Sequence, residues 1–274
     1  HALTYRVPVV LAIPYDVAAL EAGPVPEAPA PRISAPLAPR GEFAEGMLTE
    51  IADALRTAKR PLLLAGRGAW LAGAGDALGE LAEATGALTA STALGRGVFP
   101  DTRYDLGVTG GFGADGAMVL VREADVAVVF GAALNQFTMR FGELFAPGTR
   151  VFQVDVAPAA THAHVSGFVR GDARVVASEL VTRLAGRQNS GEPAPTGTDT
   201  PTNGPAAAQS SGVAAPWRES VDVAAARAYD DADEFATDGR LDPRAAARRL
   251  AELLPTDRVV VSDGGHFIGW ANMY

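Results

Sequence analysis

The sequence contains no cysteine. That absence removes disulfides, thiolate nucleophiles and thiolate-bound metals together. Lysine is almost missing as well, since Lys59 is the one lysine among 23 lysines and arginines. Such a skew reads as coding composition, so no arginine gains functional weight merely by being an arginine. A basic surplus is also lacking, the formal charge being -9. Nucleic acids and anionic membranes are approached through basic patches, so neither is expected as a partner. No apolar run approaches the ~18 residues that a membrane helix needs. With no signal peptide in view, a soluble cytoplasmic enzyme is the default expectation. No Gly-x-Ser-x-Gly elbow occurs, which argues against a hydrolase of that type.

What the chain has in quantity is apolar residues, at 48%, together with 30 glycines and 19 prolines. Its 274 residues suggest one to two domains at ~150 residues each. Between Arg60 and Pro158 the apolar pattern switches between short continuous runs and helical spacing, which is how a parallel sheet with crossover helices is written. Leu62 to Ala65 reads as a buried strand running into Gly66-Arg67-Gly68, a loop open to close backbone approach. Leu71, Ala74, Leu78, Leu81 and Ala82 recur at helical spacing until Gly86. Strands are expected at 87–90, 126–130 and 151–154, and a helix around Met118 to Val121. The fold class is therefore α/β, a nucleotide-binding-like parallel sheet with helices on both faces. Its ligand-capable loops all follow the carboxyl ends of strands, where open α/β sheets bind ligands.

The flanks read differently. Residues 7–17 suggest a strand with proline at both ends, and 258–262 a second one before Asp263-Gly264-Gly265-His266. Six prolines between Gly23 and Arg40 mark a stiff linker. Leu48, Ile51, Ala52 and Leu55 share a helix face that opens the central domain, and Asp172 is placed to cap that domain's last helix. Residues 187–216 are low in complexity and read as a disordered linker, closed by Trp217 docking on a neighbouring domain. Asp242-Pro243 starts a helix with Ala246, Leu250, Leu253 and Leu254 facing inward. Since the chain opens and closes inside such half-domains, the expectation is a piece of a longer protein. Its divisions are 1–22, 23–44, 45–186, 187–216 and 217–274, with partial α/β domains on either side of the central one.

Taken in order, three segments resemble the thiamine diphosphate (ThDP) enzymes of the acetolactate synthase and benzoylformate decarboxylase type. Pro8 to Val17 is similar to the end of their pyrimidine-binding domain. Lys59 through Ala173 is similar to their central domain, including Thr92 to Pro100, Leu106 to Gly111, Ala124-Asp125-Val126 and Gln153 to Val156. Leu241 through Trp270 is similar to the start of their diphosphate-binding domain. The resemblance implies an enzyme that makes or breaks carbon–carbon bonds of 2-oxo acids, as a lyase, transferase or decarboxylase. ThDP and Mg2+ are its implied cofactors, and a homodimer or homotetramer its implied assembly. The family's Gly-Asp-Gly segment and adjacent asparagines do not occur here, and its activating glutamate belongs to the first domain, so this chain alone is expected to be inactive.

Residue by residue, the resemblance implies that Gly264, Gly265, His266 and Phe267 touch the ThDP diphosphate. In the central domain it implies FAD or ADP, with Gly66, Gly68, Thr92, Gly111, Gly113, Gly131, Asn135 and Asp155 as nucleotide contacts beside Arg67 and Phe112. Ala133 and Phe137 stand where the family carries two arginines, which argues against FAD and with it strict acetolactate synthase activity. His162 and His164 lack a third ligand at metal spacing, and the acidic run Asp230 to Glu234 lacks the glycine of a calcium loop. Neither is taken as a metal site. The competing reading is a non-catalytic nucleotide-binding or regulatory module on the same sheet. An NAD-dependent deacylase is disfavoured by the missing zinc cysteines.

Overall fold

The computed structural model describes residues 2, 8–21, 23–24, 35–188, 216–261, 265 and 268–274. Six strands form one sheet: β1 (Pro61–Ala65), β2 (Leu88–Ser91), β3 (Asp105–Val108), β4 (Val126–Phe130), β5 (Arg150–Asp155) and β6 (Val165–Arg170). Their order is β3-β2-β1-β4-β5-β6, and every neighbouring pair is parallel. The direction of winding reverses between β1 and β4, so a crevice opens there at the carboxyl end of the sheet.

Burial on both faces explains why β1 and β4 are apolar without interruption. Alternate residues leave opposite sides of a strand. Leu63, Ala65, Val128 and Phe130 enter one core cluster, and Leu62, Leu64, Ala127 and Val129 the other. The first cluster is closed by α2 (Glu42–Thr57), α4 (Gly75–Thr85) and α6 (Ala173–Gln188). In α2 the buried Leu48, Ile51, Ala52 and Leu55 form the expected face, with Glu42 and Glu45 in the first turn and Arg56 in the last, matching the helix dipole. Asp172 caps α6 through the backbone N–H of Arg174 at 3.0 Å. The second cluster is closed by α5 (Asp115–Glu123) and by the segment after residue 216.

The helical spacing from Leu71 to Ala82 predicts one helix, yet the chain makes two. These are α3 (Arg67–Leu71) and α4. Gly73, at φ +59°, breaks them apart, and Gly86, at φ +64°, ends α4.

Three expectations for the flanks fail. Residues 8–14 form no strand; a single helical turn, α1 (Tyr15–Ala18), follows them. Residues 258–261 form none either, and Val259 and Val261 are each 90% exposed. A strand needs a neighbour to pair its backbone groups, and these segments have none among the described residues; Val7 and Ser262 lie outside them. Helix α8 (Pro243–Leu253) does begin at Asp242, whose side chain accepts from the Arg244 N–H. Its Leu250, Leu253 and the following Leu254 are exposed rather than facing inward, and Ala246 is half-buried. The stretch read as a disordered linker lies outside the described residues from 189 to 215.

Trp217 packs against the second core cluster with Val221, Val223 and Tyr229. Between them runs the short α7 (Val223–Ala226), so close to α5 that a Cβ on Gly116 would lie 2.8 Å from the Ala226 carbonyl. The Arg218 guanidinium sits 4.3 Å from the centre of the Tyr104 ring and pairs with Glu83 at 2.9 Å. The last helix, α9 (Ile268–Met273), returns to the same side, where Tyr274 lies 5.4 Å from Tyr229, ring centre to ring centre.

Candidate functional site

Two strand exits meet at the reversal point, and glycines let them. A Cβ on Gly66 would sit 2.5 Å from both the Ala132 Cβ and the Gly131 carbonyl. A Cβ on Gly68 would sit 2.7 Å from the Gly131 Cα. Gly131 itself has φ +58°, and a Cβ there would lie 2.3 Å from the Ala69 nitrogen. The loops after β1 and β4 are thus in backbone-to-backbone contact, a spacing that side chains forbid.

Beside this contact lies a cleft of about 940 Å³. Arg67, Gly68 and Leu71 come from the β1 exit, Thr92 and Leu94 from the β2 exit, and Phe112 from the turn after β3. Gly131, Ala133, Asn135 and Phe137 come from the β4 exit, and Asp155 from the end of β5. Of the predicted nucleotide contacts, the structure brings Gly68, Thr92, Gly131, Asn135 and Asp155 to this one cleft. Gly66 is buried behind it. Gly111 faces the Phe137 ring, and Gly113 faces the Met118 side chain of α5.

The polar groups on the wall are partly engaged already. Asp155 Oδ1 accepts from the Ala157 N–H at 2.9 Å, and Asn135 Oδ1 from the Thr138 N–H at 2.8 Å. Thr109 Oγ1 donates to the Ser91 carbonyl at 3.3 Å. Phe112 and Phe137 meet edge to face, their centres 4.8 Å apart. Behind the wall, fully buried Gln153 holds the β4 and β5 exits together: its Nε2 donates to the Ala132 carbonyl at 2.9 Å and to Thr161 Oγ1 at 2.6 Å.

The segment at 217–229 reaches the cleft from outside, a feature that sequence reading missed. Tyr229 Oη donates to the Phe112 carbonyl at 2.6 Å, and burial raises the phenol's pKa above its ordinary value. Burial likewise raises the Asp105 carboxyl, although it accepts from the Gly107 N–H and feels Arg227 and Arg96. The signal was present in Trp217, Val221, Val223 and Tyr229, but their spacing fits no regular period.

Of the predicted diphosphate contacts, Gly264, His266 and Phe267 lie outside the described residues. Gly265 is described, and its carbonyl accepts from the Ile268 N–H at the start of α9. The His164 N–H donates to His162 Nδ1 at 3.1 Å, and His164 Nε2 lies 3.2 Å from the Thr149 carbonyl. No group of three metal-ligating side chains and no helix able to cross a membrane occurs among the described residues.

Comparison with known proteins bears on this geometry. Residues 48–180 match the family model described as the thiamine pyrophosphate enzyme central domain. An acetolactate synthase of Mycobacterium avium is 27% identical over 230 residues, covering 83% of this chain and 34% of its own length. The 3D-(3,5/4)-trihydroxycyclohexane-1,2-dione hydrolase of Listeria monocytogenes is 30% identical over 142 residues, 52% of this chain and 22% of the relative. Among solved structures, the benzoylformate decarboxylase of Polynucleobacter necessarius aligns over 91% of this chain and 41% of its own, with a TM-score of 0.59 and 20% identity, a likeness of fold. The chain thus spans about a fifth to a third of the length of these curated relatives.

Proposed function

We propose, from the match of residues 48–180 to the thiamine pyrophosphate enzyme central domain, that the chain is the middle portion of an enzyme of that family acting on 2-oxo acids. In this reading, 1–22 ends a pyrimidine-binding domain and 45–186 is the central domain. Residues 217–274 begin a diphosphate-binding domain, and 23–44 and 187–216 are the connections. ThDP supplies the carbanion-stabilising chemistry when bound. Gly264, Gly265, His266 and Phe267 are the residues of this chain that would touch its diphosphate through backbone and imidazole donors. Mg2+, a dimeric or tetrameric assembly and a cytoplasmic location belong to the same proposal. So does the assignment to a lyase, transferase or decarboxylase.

The observation that carries it is where the sheet ends. Among the described residues all six strands lie between 61 and 170, and the described parts of the flanking apolar segments join none of them. Val10 at 90% and Leu11 at 82% are exposed on one side, and Leu253 at 64% and Val259 at 90% on the other. Apolar surface of that extent calls for cover, and further parts of the same catalytic domains would provide it. A self-sufficient nucleotide-binding module would leave those surfaces unexplained.

The test is to purify, from cells that express this sequence, the polypeptide that contains it, and to measure consumption of a panel of 2-oxo acids with and without added ThDP and Mg2+. Turnover that requires ThDP supports the reading. Turnover indifferent to ThDP, or none with any 2-oxo acid, overturns it.

A further inference from the structure

The aromatic wall of the cleft stands on a turn with little to hold its own shape. Residues 110–113 read Gly-Gly-Phe-Gly, and Gly110 adopts φ +75°. Glycine gives up more backbone freedom on ordering than any other residue, so this turn takes its shape from what grips it. Its start is tied to the sheet, where the Thr109 N–H donates to the Ser91 carbonyl at 2.8 Å. Beyond that the bonds lengthen: the Gly111 N–H donates to the Phe137 carbonyl at 3.2 Å, and the Gly113 N–H to that of Gly110 at 3.1 Å. The short bond comes from outside the sheet. Tyr229 Oη donates to the Phe112 carbonyl at 2.6 Å, and a Cβ on Gly269 of α9 would lie 3.6 Å from the Phe112 ring. Both grips belong to the chain after residue 216.

That chain is held on the sheet by contacts that lie away from Phe112. Trp217 packs on the second core cluster, the Arg218 guanidinium lies 4.3 Å from the centre of the Tyr104 ring and pairs with Glu83, and Arg227 reaches the Asp105 carbonyl. Yet Val223 is the one buried residue between 217 and 229. A segment with so little buried surface opens at a lower free energy than the sheet it rests on. Phe112 carries the consequence inward, because its ring meets Phe137 edge to face at 4.8 Å and Phe137 is 45% exposed in the cleft.

We infer that residues 217–229 form a strap that sets the aromatic wall of the cleft, with Tyr229 as the positioning residue. Docked, the strap holds Phe112, and through it Phe137, in place. Released, it frees the turn at 110–113 while the six-stranded sheet stays folded.

The experiment follows hydrogen–deuterium exchange in the 274-residue chain. It reads the N–H groups of Gly111 and Gly113 in the turn, and those of Ala226 and Arg227, which bond to the Asp222 and Val223 carbonyls in the strap. In the parent, turn and strap should share one opening constant, at least about tenfold above that of β1 and β4. Arg218→Met removes the contact with Tyr104 and the pair with Glu83, and should speed turn and strap by the same factor. Tyr229→Phe keeps the ring beside Tyr274 and removes only the hydroxyl. It should speed the turn about five- to tenfold more than the strap, the worth of one buried hydrogen bond. In both variants β1 and β4 should remain the most protected strands, which shows that each still folds. Turn and strap that exchange only with the whole sheet would overturn the inference. So would a strap loosened by Arg218→Met with no response in the turn, or a turn that stays tied to the strap in Tyr229→Phe. None of these readouts involves ThDP, so the result stands apart from whether turnover of 2-oxo acids requires that cofactor.

Discussion

Gln153 and Thr161 hold each other in both directions. Gln153 Nε2 donates to Thr161 Oγ1 at 2.6 Å, and the Thr161 N–H donates to Gln153 Oε1 at 2.8 Å. Thr161 Oγ1 also accepts from the Leu134 N–H at 2.9 Å. One buried amide thus ties the loop after β4 to the loop after β5, the two walls that carry Asn135 and Asp155.

Replacing that amide by a side chain of similar volume tests the tie. Gln153→Leu leaves the Ala132 carbonyl and the Thr161 N–H without their partner, at a cost of about 1–3 kcal/mol. Urea unfolding should show a lower midpoint with an unchanged slope, because the denatured state is untouched.

Glycines with positive φ separate into two kinds. Gly131→Ala meets both the left-handed penalty of ~1–2 kcal/mol and a clash with backbone, since its Cβ would lie 2.3 Å from the Ala69 nitrogen. Gly97, at φ +80°, has nothing within 4 Å of a Cβ. Gly97→Ala should therefore cost about 1 kcal/mol, while Gly131→Ala should prevent the chain from giving a cooperative thermal transition.

Asp105 gives stability a pH dependence. Burial holds its carboxyl above the ordinary 3.8, so the folded state binds a proton that the unfolded state releases. Stability from this group is greatest below 3.8 and falls as pH rises through the raised value. Asp105→Asn should be more stable than the parent at pH 7, keep the acceptor for the Gly107 N–H, and lose its advantage towards pH 3 in unfolding titrations.

Asp242 runs the other way. The Arg244 side chain, then the Arg244 backbone N–H, pull it down from 3.8 to about 2. Its contribution is present above the ordinary value and disappears as pH falls through about 2. Asp242→Ala should reduce helical circular dichroism at pH 7, and the two proteins should converge below pH 2, where the parent's cap is protonated.

The central strands were legible because burial on both faces writes them as unbroken apolar runs, Leu62 to Leu64 and Val126 to Phe130. The edge strands were not. β3 alternates half-buried and buried residues around Gly107, and β6 carries Ser166 and Gly167 in its middle, patterns that also describe loops. The strands expected at 7–17 and 258–262 show the opposite error, in which local preference is present but no partner strand occurs among the described residues. At the site, the sequence located Gly66, Gly68 and Gly131 at strand exits. That their N–H groups are consumed within the protein depends on which exits meet, and no local pattern carries that information.

Strand β3, one of the two outermost strands, would otherwise present an unpaired row of backbone groups, an invitation to adventitious strand addition by other copies of the chain. Arg227 occupies the Asp105 carbonyl there at 3.4 Å, and α7 lies alongside. Residues 217–229 therefore cover part of that edge, and proteolytic trimming back to α6 is expected to yield material that folds but precipitates.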